Sequence, residues 1–129
     1  MKKDRVILAI DYGLKRVGLA VSRVNLAEPL QVLINDRNLL KNIKDLCNEL
    51  QVEMIVVGLS EGEMARQTTQ FAKQLKAEAG LPIEFMDETL STQEARQKLN
   101  KAKIKQKKKR GPIDHFVAAS FLQEWLQLQ

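Results

Sequence analysis

The chain has 129 residues, of which 44% are hydrophobic and 29% are charged. This length fits a single domain, 1–129, and this balance provides a packed core, so wholesale disorder is excluded. The longest apolar runs, such as 54–57, are far too short to span a bilayer. The apolar run at 6–10 is also too short for a secretory signal, and we therefore expect a cytoplasmic location.

The chain contains one cysteine and one histidine. A single cysteine excludes an intramolecular disulfide, and so few sulfur and imidazole ligands exclude most zinc sites. Any bound metal is therefore expected to be a hard cation held by carboxylates.

The net charge of +5 is unevenly distributed. The basic segment, 96–110, holds 9 of the 21 basic residues and no acidic residue, whereas the other 12 basic residues face 16 acidic ones. Such a segment favours a polyanionic partner, and nucleic acid rather than a membrane, because it has almost no apolar face. A solvated surface loop is the alternative interpretation. The residues expected to bind phosphates are Lys103, Lys105, Lys107, Lys108, Lys109 and Arg110.

Three strands are predicted at the start of the chain. The first, 5–10, has a buried character and ends at the turn 11–13. The second, 16–22, is close enough in sequence to pair antiparallel with the first. A third strand, 30–34, follows Pro29.

A helix and a buried strand follow. Asp36 is a suitable N-cap for a helix that runs to about residue 51, along which apolar residues recur at helical spacing. Cys47 lies on that apolar stripe, which indicates a core residue rather than a nucleophile. The short apolar run 54–58 is typical of a strand that is buried on both faces.

The second helix is bounded by clear signals at both ends. Ser60 and Glu63 have the spacing of a capping box, and Gly80 with Pro82 ends the helix near residue 79. The fifth strand is predicted at 82–87.

Two further helices complete the pattern. Ser91 and Glu94 form another possible capping box, which begins a helix that enters the basic segment. Pro112 suits the first turn of a last helix that ends near residue 128. Three meandering strands followed by two crossover strands predict an α/β fold, with a five-stranded mixed sheet flanked by helices on both faces.

Acidic residues follow two of the predicted parallel strands. Asp11 comes directly after the first strand, and Asp87 and Glu88 come at the end of the fifth. Ligands gather at the carboxyl ends of parallel strands, so these side chains are expected to approach one another at one rim of the sheet.

A third acidic position lies on the last helix. The apolar stripe of that helix falls 3, 4, 7, 8 and 11 residues beyond Asp114, which places this carboxylate on the side that faces the core. Each acid has a structural alternative: Asp114 as a helix-start acceptor, Asp11 as a turn former and Asp87 as a strand-end acceptor. One common site explains all three positions more economically.

Clustered carboxylates repel one another unless a cation neutralises them. Mg²⁺ or Mn²⁺ binds carboxylates and phosphate oxygens at the same time, and a pair of such ions promotes phosphodiester displacement. The acids and the basic segment together therefore indicate metal-dependent hydrolysis of nucleic acid.

The stretch 10–22 closely resembles the opening motif of the YqgF family, also called RuvX, which is described as pre-16S rRNA nucleases and Holliday junction resolvase-like proteins. Individually weaker matches occur in the same order and spacing at 56–59, 87–95 and 113–119. The resemblance spans nearly the whole chain. One departure is the stretch 60–64, which is shorter and more acidic here than in the family and bears on substrate preference.

The resemblance implies an RNase H-like fold and a divalent-metal nuclease. Its catalytic acids fall on Asp11, on Asp114 and on the pair of Asp87 and Glu88. Glu88 is favoured within the pair, so the implied ligands of Mg²⁺ or Mn²⁺ are Asp11, Glu88 and Asp114. The resemblance also places Lys15 and Arg16 within reach of phosphate, where the alternative is an ordinary solvated turn.

The resemblance further implies that the substrate is structured RNA, with the 5′ end of precursor 16S rRNA favoured and a ribosomal particle as a possible partner. One alternative is a resolvase for branched DNA, which should be a homodimer rather than a monomer because its cuts are symmetric. Another is a non-catalytic factor that binds rRNA or the ribosome. A two-domain phosphotransferase is disfavoured because 129 residues supply one domain.

Two other residues near the motifs receive weaker predictions. His115 is expected to point about 100° away from Asp114 along the last helix, which disfavours a catalytic role. The sequence leaves two roles for Tyr12, which either packs in the core or lines the site.

Overall fold

The computed structural model describes residues 5–87 and 113–129. The helix predicted from residue 91 and the basic segment lie outside the described residues. So do the following residues from the predictions above: Glu88, Lys103, Lys105, Lys107, Lys108, Lys109, Arg110 and Pro112.

The described residues form five strands and three helices. The strands are β1 (Ile7–Tyr12), β2 (Arg16–Ser22), β3 (Ala27–Ile34), β4 (Met54–Leu59) and β5 (Ile83–Asp87). The helices are α1 (Leu39–Leu50), α2 (Gly62–Ala79) and α3 (Asp114–Gln127).

The five strands form one mixed sheet in the order β3-β2-β1-β4-β5. β1, β2 and β3 pair antiparallel, because short turns connect them. β4 pairs parallel with β1 on one side and with β5 on the other. The chain enters β4 from α1 and leaves it through α2, and such helical crossovers are the usual connections of parallel strands. The predicted mixed sheet is confirmed.

Each face of the sheet is covered by helices, as predicted. On one face Ala9 and Val56 pack with the apolar side of α3, and we call this the α3 face. On the other, Leu8 and Ile55 pack with apolar residues of α1 and α2, and we call this the α1/α2 face. Alternate residues of β1 and β4 therefore enter two different cores, which explains why these strands have continuous apolar runs.

The first strand lies two residues further along the chain than predicted, at Ile7–Tyr12 instead of 5–10. Asp11 and Tyr12 are strand residues, not turn residues, because they pair with Gly18 and Val17 of β2. The turn between the strands is confined to residues 13–15.

The third strand begins earlier than predicted. β3 starts at Ala27 and includes Pro29, with a register shift opposite Leu19 and Ala20. Proline is tolerated here because β3 is an edge strand, which has a pairing partner on one side only.

The predicted caps of the first two helices are partly wrong. Asn38 rather than Asp36 is the N-cap of α1, although the Asp36 carboxylate accepts a hydrogen bond from the Asn38 backbone N–H at 2.9 Å. The predicted capping box does not form in α2: the N-cap is Glu61 rather than Ser60, and the Glu63 carboxylate accepts a hydrogen bond from Arg66 at 2.9 Å. Gly80 ends α2 with φ 69°, as its sequence position predicts.

Cys47 is buried in the core between α1 and the sheet, which confirms its predicted structural role. Burial raises the pKa of its thiol from 9.0 to about 11. The side chain is therefore a neutral thiol at physiological pH, and a neutral thiol is a poor nucleophile.

Candidate active site

Asp11 lies near the end of β1 on the α3 face of the sheet. It is half-buried, and it follows Ile7 and Ala9 at alternate positions along the strand. Its partner on β2 is Gly18. On the other side, the parallel register with β4 ends at Ile10 opposite Val57, directly before Asp11. Asp11 therefore lies where the pairing of β1 with β4 ends, and its partner on β2 has no side chain.

The first turn of α3 lies directly on Gly18. A Cβ atom at Gly18 would overlap the backbone carbonyl of Asp114 and would lie 2.6 Å from the backbone nitrogen of His115. Only glycine permits this approach of the helix to β2. Because Gly18 is also the partner of Asp11, one glycine brings Asp11 and Asp114 to the same part of the same face.

An ion pair joins β2 to the start of α3. Nε of Arg16 donates to Oδ2 of Asp114 at 3.1 Å, although the two residues are 98 positions apart in sequence. The Arg16 side chain is 49% exposed and that of Asp114 is 23% exposed. The resemblance places Arg16 within reach of phosphate; what the structure shows is its contact with a predicted catalytic acid.

The turn that carries Lys15 is fastened to the end of β3 by Asn35. The backbone N–H of Asn35 donates to the Lys15 carbonyl at 2.9 Å, and its side-chain amide donates to the Gly13 carbonyl at 2.7 Å. A Cβ at Gly13 would lie 2.5 Å from the Arg16 carbonyl, so the tight turn favours glycine. The sequence analysis missed Asn35, whose only signal is an amide side chain directly after a strand.

Asp87 lies at the same end of the sheet as Asp11 but on the other face. Met86 enters the core on the α3 face, and Asp87 is the next residue of β5, opposite Leu59. Because side chains alternate along a strand, the exposed Asp87 belongs to the α1/α2 face. The structure therefore places Asp11 and Asp114 on the same face of the sheet and Asp87 on the opposite face.

The two ring residues next to the site acids differ in their surroundings. Tyr12 stacks on Phe71 of α2, with ring centroids 4.4 Å apart, so it packs in the core on the α1/α2 face. The His115 ring lies 4.4 Å from that of Phe116, and its buried Nδ1 has no hydrogen-bond partner within the described ranges.

The described acids fit part of a site for a hard cation. Asp11 and Asp114 supply carboxylate oxygens, the ligands that Mg²⁺ and Mn²⁺ prefer, and Gly18 adds no side chain between them. Residues 5–87 and 113–129 contain no group of three or more His, Cys, Asp or Glu that could hold a metal ion. The third predicted ligand, Glu88, lies outside those ranges.

None of the helices in the described part of the chain is long and apolar enough to cross a membrane.

The fold is shared with solved nucleases. The chain superposes on the Holliday junction resolvase of fowlpox virus with a TM-score of 0.62, over 96% of this chain and 99% of that chain at 11% identity. It superposes on Thermus thermophilus RuvC in complex with a Holliday junction substrate with a TM-score of 0.52, over 64% of each chain at 19% identity. The predicted RNase H-like fold is thereby confirmed.

The fold places the chain in the RNase H-like class of proteins. The chain belongs to the RuvX family, whose model, described as Holliday junction resolvase, matches residues 5–128. This membership confirms the resemblance of the sequence motifs. It also makes the chain a hydrolase that cleaves phosphodiester bonds.

Curated relatives match over nearly their whole length. A protein of Sulfurihydrogenibium sp., named "Putative pre-16S rRNA nuclease", is 38% identical over 93% of this chain and 88% of its own length. A protein of Trichormus variabilis with the same name is 35% identical over 100% of this chain and 92% of its own length.

Proposed function

We propose that this nuclease acts on structured RNA and processes the 5′ end of precursor 16S rRNA in the cytoplasm during ribosome biogenesis. The observation that carries the nuclease site is the contact of α3 with Gly18, which assembles Asp11 and Asp114 on one face. The names of the relatives that are 38% and 35% identical support the RNA substrate. The domain proposed for this activity is the whole chain, 1–129.

The proposed metal ligands are Asp11, Asp114 and Glu88. The face of Asp87 supports this choice within the acidic pair, because Asp87 belongs to the side of the sheet away from Asp11. The proposed cation is Mg²⁺ or Mn²⁺, since carboxylates prefer hard ions. When bound, such a cation neutralises charge on the scissile phosphate and promotes ionisation of the attacking water.

The side chains around the acids bind and orient the substrate in this proposal. Lys15 and Arg16 are exposed, Lys15 at the end of the turn that Asn35 holds in place and Arg16 as the first residue of β2. They contact the phosphates that flank the scissile bond, and the basic segment contacts phosphates further away. Asp11 and Asp114, positioned by the sheet and by α3, would hold the cation to which the reacting phosphate group binds.

Cleavage of branched DNA is the second candidate function. The description of the matching family model, Holliday junction resolvase, favours it. Symmetric cleavage of a four-way junction requires a two-fold dimer, whereas processing of a single RNA end is compatible with a monomer. The oligomeric state in the presence of each substrate therefore helps to distinguish the two functions.

The test is a cleavage assay of the purified wild type, Asp11→Asn and Asp114→Asn. Each protein receives a precursor 16S 5′-leader RNA or a four-way DNA junction, with Mg²⁺, with Mn²⁺ or with EDTA. We expect metal-dependent cleavage of the RNA, reduced more than about 100-fold in both variants, since loss of a ligand should exceed loss of an outer-shell partner. Asp45→Asn, which removes an exposed carboxylate of α1 on the other face, is the matched control.

Three other outcomes would contradict parts of this proposal. Full activity of both site variants would remove the metal site from these acids. Cleavage of the junction alone would replace RNA processing by DNA resolution. Tight RNA binding without cleavage by the wild type would favour a non-catalytic factor that binds rRNA or the ribosome.

A further inference from the structure

The ion pair between Arg16 and Asp114 links a substrate-binding residue to a metal ligand of the proposed function. Asp114 is the more buried partner, at 23% exposure, and Arg16 reaches it from the solvent side with half of its own side chain exposed. Arg16 and Gly18 lie at alternate positions of β2 and thus share the α3 face with Asp11. The guanidinium is therefore part of the same carboxylate-bearing rim.

A partly buried carboxylate needs a positive partner, and a second acid on the same face strengthens that need. In the described part of the chain, Arg16 is the basic residue whose side chain pairs with Asp114. A cation that binds Asp114 would meet the positive charge of Arg16 at the same carboxylate. Arginine and cation cannot both lie at 3 Å from one oxygen without strong repulsion.

We infer that Arg16 is the internal counterion of Asp114, that it competes with the divalent cation for this carboxylate, and that it holds the start of α3 in place when no metal is bound. This inference rests on the proposed metal site. Arg16 thereby acts as a positioning residue in the metal-free protein. Its release by the cation frees the guanidinium to contact phosphate, so that metal binding prepares the site for substrate.

The test compares Mn²⁺ binding to the wild type, Arg16→Gln and Lys15→Gln by isothermal titration calorimetry. We expect Arg16→Gln to bind Mn²⁺ about five-fold more tightly than the wild type, an effect on the scale of a half-exposed ion pair. Lys15→Gln is the matched control. It removes the same charge from the neighbouring residue, which makes no ion pair with Asp114, and should change the affinity by less than about two-fold.

Thermal unfolding gives a second, independent readout. In EDTA, Arg16→Gln should melt at a lower temperature than the wild type, because Asp114 has lost its counterion. In saturating Mn²⁺ this difference should disappear, because the cation takes the place of the guanidinium. An equal decrease in both conditions would indicate a purely structural ion pair and would overturn the inference.

The remaining outcomes separate this inference from the proposed function. Equal or weaker Mn²⁺ binding by Arg16→Gln, with normal binding by the wild type, overturns the counterion role alone. Absence of Mn²⁺ binding by the wild type overturns the proposed metal site and the inference with it. If Arg16→Gln does not fold, Arg16→Met keeps the apolar stem without the charge, and an Mn²⁺ affinity no higher than that of the wild type would again overturn the inference.

Discussion

Gly18 and Asp114 are in backbone contact, and this contact joins the last helix to the second strand at the rim where Asp11 lies. The absence of a side chain at Gly18 determines how closely α3 approaches the sheet. It also determines where the Asp114 carboxylate lies relative to Asp11. A single residue with no chemistry of its own therefore sets the geometry of the two described acids.

Gly18→Ala should damage both stability and activity. The added methyl group would overlap the Asp114 carbonyl, so α3 must shift away from β2. We expect the free energy of unfolding to fall by about 2 kcal/mol, the usual cost of overpacking. We also expect kcat to fall at least about 10-fold, because a shift of α3 would move Asp114 relative to Asp11 and so misplace the proposed metal ligands. Denaturant unfolding and single-turnover cleavage at a temperature where the variant is folded measure the two effects.

Asn35→Ala should weaken substrate binding more than turnover. Its amide holds the Gly13 carbonyl at 2.7 Å and so orders the turn that carries Lys15. We expect a loss of about 1 kcal/mol in stability from the missing hydrogen bond, and a rise in KM with little change in kcat. Asn42→Ala, at an exposed position of α1, is the control. A fall in kcat at unchanged KM would show that the turn orders the catalytic acids instead.

Cys47 should contribute to stability in a pH-dependent way without affecting cleavage. Its pKa is 9.0 in the unfolded chain and about 11 when buried, so the folded state holds the thiol proton more tightly. This contribution is complete below pH 9 and is lost as the pH rises toward 11. The wild type should therefore lose more stability than Cys47→Ala over that interval.

The same variant separates stability from chemistry. At neutral pH, Cys47→Ala should unfold about 1 kcal/mol more easily because it leaves a small cavity, while kcat stays at the wild-type value. Rapid labelling of Cys47 by a thiol reagent in the native protein would contradict its burial. Reduced kcat at full folding would contradict a purely structural role.

Much of the fold was predictable because local patterns and burial agree. The predicted limits of the second strand, 16–22, are those of β2. The apolar run at 54–58 proved to be a strand between two cores, as its lack of alternation indicates. Asp114 was placed on the core-facing side of its helix from the apolar stripe alone, and its helix does pack on the sheet through that stripe.

The missed features depend on partners that are distant in sequence. No local pattern shows that Arg16 pairs with a residue 98 positions away. Likewise, no local pattern shows that Gly18 lies against the start of α3, since this contact exists only in the folded chain. The capping box predicted at the start of α2 was wrong, since Glu61 is the N-cap and the Glu63 side chain pairs with Arg66 and not with the backbone.

The last prediction concerns the basic segment, which lies outside the described residues. Replacing Lys107, Lys108, Lys109 and Arg110 by glutamine should weaken binding to RNA and to a DNA junction alike, because phosphate contacts carry no sequence information. The slope of log K against log salt concentration should become shallower by up to about 3.6, which corresponds to four phosphate contacts. Fluorescence anisotropy over a range of salt concentrations measures this slope. Glutamine at Lys41, Lys44, Lys73 and Lys76, on α1 and α2, removes the same charge from the α1/α2 face and should change the slope much less. An unchanged slope in the first variant would show that the basic segment faces away from the nucleic acid.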